Sequence, residues 1–274
     1  MAILEEAAQL VKKTLGREYE KLTIERFIAG IFFTAVKLSN GAGGLCFTPL
    51  KEIPEAVCCP SSIGKTFDPI KIRGMKVKEV LAALSSQKPI KTAAAIATLN
   101  GLSSTCWDRG ISDSYTITMN ADAQDEIKMP LGTSVAVIGA LAPTLRVLKK
   151  RGGTWWVIEQ DQRTLKRDEL PYYVPAEKSE GILSKADVLI ITGATLVNHT
   201  LEKILSIAKP GAEIGVMGPT VGFLPDPLFK RGVRVVGGVW VKRPDELLEI
   251  VAAGGSGYHF FDKYAPRVVM KRDA

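Results

Sequence analysis

The chain has 274 residues, 46% hydrophobic and 24% charged, with 25 Gly and 15 Pro spread along it, a composition that excludes a disordered or fibrous protein and suits two modest domains. The net charge of +7 comes from interleaved Lys, Arg, Asp and Glu; the basic run Lys149-Lys150-Arg151 is too short for a nucleic-acid surface, so no nucleic-acid partner is expected and the mild excess favours an anionic ligand. The longest uncharged apolar stretch, Phe27 to Val36, is about half of what a helix needs to cross a bilayer, and MAILEEAAQLVKK carries two Glu where a signal peptide is basic, so the expectation is no membrane association and a cytoplasmic location.

In chain order, LEEAAQLVKKTL over residues 4–15 places Leu4, Ala7, Ala8, Val11 and Leu15 on one stripe, the spacing of an amphipathic helix stopped by Gly16. KLTIERFIAGIFFTAVKL from Lys21 and LCFTPL from Leu45 are β-branched and aromatic and flank the Gly-rich SNGAGG, which predicts strands joined by a turn. After a connection at Pro60–Gly64, helices are predicted from Val77 (VKEVLAALSS) and from Pro89 (PIKTAAAIATLNGLS), the second with Pro in its first turn. Asn100 then closes an apolar helix face as a cap or faces the second domain across a cleft. The polar stretch Asp108–Asp125 reads as a linker.

From Thr133 the character changes to continuous apolar runs separated by helical segments: TSVAVIG, TWWVIEQD, ADVLIITG, AEIGVMGP and VRVVGGVWV. Such runs are strands buried on both faces, and the alternation predicts an open, doubly wound parallel sheet. The fold class is therefore α/β, a Rossmann-like domain over 126–274 preceded by a smaller α+β domain over 1–125. The aromatic tail (Tyr258, Phe260, Phe261, Tyr264) is expected to pack on this domain or across to the first.

In such sheets ligands bind beyond the carboxyl ends of the strands. Four loops there carry candidate groups: Gly139-Ala140, Glu159-Gln160-Asp161, Thr192-Gly193-Ala194-Thr195 with Asn198, and Gly218-Pro219-Thr220. VIGALAPT keeps one glycine of the dinucleotide pattern GxGxxG, with Leu141 and Pro143 at positions that should be open. Glu159, about 20 residues on, could hold a ribose hydroxyl or could be a solvated strand end. A nicotinamide- or S-adenosylmethionine-dependent enzyme is thus one alternative. Asn198 and Thr200 offer donors or helix caps. No GxSxG is present and His199 and His259 are the only histidines, which disfavours a hydrolase; His199 begins a helix beside the candidate loop. Cys46, Cys58, Cys59 and Cys106 lack zinc-site spacing and read as free thiols, with a thiol-based metal carrier as a further alternative.

The segments FTAVKLSNGAGG, CFTP, ATLNGLSS, VAVIGALAP, TGATLVNHT and MGPTVGFLPDPLF together resemble a bacterial and archaeal family of heavy-metal chelatases, classed as a domain of unknown function, over nearly the whole chain. The resemblance implies an enolase N-terminal-like α+β domain, a Rossmann-like domain and a site at their interface. It implies a heavy metal or a chelating small molecule as the bound group, and by motif it places the cleft at Asn100, Gly139, Glu159, Thr192, Gly193, Thr195, Asn198 and Thr220. Enolase catalysis is not carried over with an accessory domain. A soft metal wants thiolates or imidazoles, and the thiols and histidines sit in opposite halves, so an organic chelator or its precursor is the expected ligand. Substrate, reaction and oligomeric state are left open.

Overall fold

The computed structural model describes residues 1–53, 68–110 and 114–272. The predicted first helix spans Ile3–Leu15 and buries Leu4, Ala7, Val11 and Leu15, with Gly16 at its end. The strand-rich stretch forms β1 (Ile24–Ala29), β2 (Phe33–Leu38) and β3 (Gly43–Phe47), a three-stranded antiparallel sheet. The Pro60–Gly64 connection, Cys58 and Cys59 lie outside the described residues.

The helix that starts at Pro89 runs to Asp108, and every residue from Thr92 to Trp107 is buried. It does not end near Asn100. Ser103 and Thr105 look like terminating residues in the sequence, but their hydroxyls donate back to the carbonyls of Leu99 (2.9 Å) and Gly101 (3.2 Å), which satisfies them inside a helix. Its fully buried Ile96, Leu99 and Leu102 contribute about 5 to 9 kcal/mol between them. Gly44 in β3 lets the helix backbone at Ala97 and Gly101 approach closely, since a Cβ at Gly44 would collide with both.

The larger sheet holds β4 (Thr116–Met119), β5 (Val135–Ile138), β6 (Trp155–Glu159), β7 (Tyr173–Pro175), β8 (Val188–Thr192), β9 (Glu213–Met217), β10 (Val235–Val239) and β11 (Arg267–Lys271). Their order is β4-β11-β10-β9-β8-β5-β6-β7, and β7 through β10 are all parallel. Counting from β5, this is the Rossmann order, with its switch point between β5 and β8. β11 is antiparallel to β10, and β4 to β11. The stretch expected as a linker therefore carries an edge strand of the large sheet and the short helix Ala123–Glu126. Its alternating, half-exposed residues are what an edge strand shows, and polar composition alone does not separate that from a loop.

Period-two alternation assigns the faces of this sheet. Val135, Val137, Val188 and Ile190 pack into one core. Ala136, Ile138, Leu189 and Ile191 face the other, which also contains Ile3, Val11, Ile96, Leu99 and Leu102. The helices of the first half thus cover one face of the parallel sheet, and the two halves share a core. A third cluster joins Ala35 and Leu45 of the small sheet to Leu247, Leu248 and Phe260. The aromatic tail reaches across here, with Phe260 edge-on to Phe33 at 5.2 Å.

Candidate functional site

β5 ends at Ile138, and the next residue, Gly139, turns the chain with φ +94°. A Cβ there would lie 2.7 Å from Thr192 Cγ2, so glycine lets the ends of β5 and β8 meet at the switch point. Gly193 continues the β8 ladder by donating to Met217 O (2.8 Å), and Gly218 does the same from β9 to Gly237 O (2.8 Å). A Cβ at Gly193 would lie 3.1 Å from Thr220 Cβ. Gly139, Thr192, Gly193, Gly218 and Thr220 are thereby brought to one edge of the sheet.

The first half closes over this edge. Asn100, 3% exposed, directs its amide from the central helix at three carbonyls: Leu45 of β3 (2.7 Å), Thr220 (3.0 Å) and Pro219 (3.4 Å). That geometry fixes the amide orientation and leaves Oδ1 buried without a hydrogen-bond partner, an exception for a buried polar atom. Thr220 Oγ1 accepts from Phe47 N–H (3.1 Å) and faces the Cys46 thiol at 3.9 Å. Lys51, just beyond β3, reaches Asp161 at the end of β6 (2.8 Å). Arg163 first, and Lys51 second, hold the Asp161 carboxyl far below the usual carboxylate range.

The remaining candidates are placed differently. Glu159 is not free to reach a ribose: Oε2 accepts from Ala140 N–H (3.0 Å) and Oε1 from Gln160 N–H (2.7 Å). Thr195 donates to Thr192 O (2.7 Å) and braces the β8 loop. Asn198 Oδ1 accepts from the Thr200 hydroxyl (2.7 Å) and N–H (3.3 Å), a local turn rather than a helix cap, since the next helix begins at Leu201 with Thr200 as its N-cap and His199 lies before it. His199 is exposed, adopts φ +57° and sets Nε2 3.1 Å from Ser86 O. It faces a cavity of about 50 Å³ shared with Ala2, Glu5, Leu84, Thr195 and Glu202. Its hydrogen-bond partner and cavity neighbours do not include Gly139 or Thr220. Cys46, Phe47 and Lys51 were not legible as neighbours of Thr220 and Asp161; for Cys46 and Phe47 the signal available was that CFTP is one of the family-like segments.

A parallel sheet in Rossmann order, with small residues at its switch point and a second sheet roofing it, places the chain among Rossmann-like α/β proteins. Residues 122–270 match the family DUF364 and residues 12–103 the family DUF4213, both described as "putative heavy-metal chelation". The chain belongs to the DUF364 family. It is similar to a DUF364 protein of unknown function from Pyrococcus horikoshii, with 21% identity and a TM-score of 0.77, covering 98% of this chain and 100% of that one. A DUF364 protein of unknown function from Desulfitobacterium hafniense DCB-2 matches at 20% identity and a TM-score of 0.68, covering 98% and 99% of the two chains. These likenesses establish the fold. No curated protein matches the chain.

The donor set can be tested against a heavy-metal ion. Among the described residues, no three His, Cys, Asp or Glu side chains gather to hold one. Burial pushes the Cys46 thiol up, and the Cys106 thiol up to about 12, so both stay protonated where a metal wants a thiolate. The described residues do not fit direct coordination. Among them, no helix is long and apolar enough to cross a membrane.

Proposed function

We propose that this protein binds a small anionic or metal-chelating organic molecule at the carboxyl edge of the parallel sheet, where β3 packs over it. The observation that carries this reading is the convergence of Gly139, Thr192, Gly193, Gly218 and Thr220 with Asn100 at a Rossmann switch point, where such folds take their ligands. The unpartnered Asn100 Oδ1 supplies an acceptor for a ligand donor. On this reading, the chelation in the family description resides in the organic ligand, and the side chains hold that ligand.

Native mass spectrometry of the purified chain, followed by thermal shift across a panel of organic chelators with and without metal, tests it. The expected result is a co-purifying small molecule or a rise in melting temperature with at least one chelator, absent for metal salts alone. No bound molecule and no shift across the panel would refute it.

A further inference from the structure

In a Rossmann fold the loop after the first strand offers backbone N–H groups to a pyrophosphate. In this chain the first three of those groups are already occupied. Gly139 N–H donates to Ile158 O (2.9 Å), Ala140 N–H to Glu159 Oε2 (3.0 Å) and Leu141 N–H to Gly139 O (2.8 Å). Pro143, in the first turn of the helix Ala142–Arg151, has no N–H. The second Glu159 oxygen accepts from Gln160 N–H (2.7 Å) and Asp161 N–H (3.4 Å). One carboxylate therefore collects three backbone donors from the ends of β5 and β6. The cations brought to this corner, Lys51 and Arg163, are paired with Asp161.

We propose that Glu159 is a built-in anion that closes the phosphate corner of this Rossmann-like sheet against nucleoside diphosphates and dinucleotides. An entering pyrophosphate meets a fixed negative charge where the Ala140 N–H would otherwise be open. It would have to displace a charge-assisted hydrogen-bond set without gaining a stronger one. The position that in dinucleotide enzymes holds a ribose here excludes the nucleotide. This inference concerns the Ala140–Glu159 corner alone; a ligand at the Asn100 and Thr220 end of the edge would lie away from it.

Calorimetric titration of the full chain with ADP-ribose and with inorganic phosphate tests it. The wild type is expected to show no saturable binding up to about 10 mM, while Glu159→Ala, which leaves three N–H groups without an acceptor, binds both probes tighter by about tenfold or more. Wild-type binding equal to the variant's overturns the proposal, as does a variant folded by circular dichroism that binds neither probe better than wild type. If Glu159→Ala does not fold, Glu159→Gln decides, because it keeps length and acceptor and drops the charge. A roughly threefold or larger gain in phosphate affinity supports the proposal, and affinity equal to wild type overturns it.

Discussion

Asn100 is the side chain whose replacement most directly tests how the two halves are joined. Its amide makes two short donations, to Leu45 O (2.7 Å) and Thr220 O (3.0 Å), plus a longer one to Pro219 O. In Asn100→Ala the two short bonds are lost at about 1 kcal/mol each. The void left by the carboxamide adds about 1 kcal/mol or more. Deleting the unpartnered Oδ1 offsets about 1 kcal/mol of this, leaving a net loss of about 2 to 3 kcal/mol. For a chain of this size that is a fall in melting temperature of about 3 to 6 °C. Asn100→Asp is expected to be worse at neutral pH, because an ionised carboxylate cannot donate and would face three carbonyl oxygens. A protonated carboxyl could donate once, so the folded state raises this group's pKa and the deficit of Asn100→Asp should narrow as pH falls. Urea unfolding with linear extrapolation measures both variants. An Asn100→Ala loss below about 0.5 kcal/mol, or Asn100→Asp more stable than Asn100→Ala at pH 7, would refute the clamp.

Three further outcomes are expected. Gly139→Ala should destabilise by about 2 to 4 kcal/mol through its positive φ and the clash with Thr192 Cγ2; adding Thr192→Ser removes that methyl, so the double variant should recover part of the loss, and strict additivity in a denaturation cycle would contradict the contact. The Asp187 carboxyl is held far below its usual range by Lys209 first and then by the Ser134 N–H and hydroxyl. Its contribution is therefore present above the unfolded value of about 3.9 and drains as pH falls below that. Asp187→Asn should flatten the acid limb of stability against pH, and an unchanged limb would count against the depressed pKa. Cys46 and Cys106 are buried with raised pKa values, so in the native protein at pH 8 neither should react with a thiol reagent until denaturant is added; peptide mapping that finds rapid native labelling of Cys46 would contradict this.

Element type along the second half was readable because a strand buried on both faces must be a continuous apolar run. VAVI, WWVIE, VLIIT, EIGVM and VVGGV could hardly be anything else next to helical segments. The loops that end those strands were readable for the same reason, which put Gly139, Thr192, Gly193, Gly218 and Thr220 at one edge. β4, β7 and β11 were harder to read. β7 has three residues, β4 is alternately exposed and β11 carries Arg267 and Lys271 at its ends, and only pairing with a neighbour distinguishes such a segment from a loop. The length of the central helix was likewise hidden, since Ser103 and Thr105 end helices as readily as they bond back into them.

The fold class, the parallel run from β5 to β10 and the lack of the glycine pattern that a dinucleotide needs could all be read from the amino-acid sequence. These are local matters of periodicity and backbone freedom. Folding in three dimensions was needed to show that Glu159 turns back onto Ala140, that Asn100 ties Leu45 to Thr220 and that His199 looks onto a cavity lined by Ala2, Glu5 and Glu202. Each of these depends on a partner far away in the chain or on which way one side chain points. Hydrogen bonds between residues 55 to 120 positions apart leave no periodic trace in the sequence.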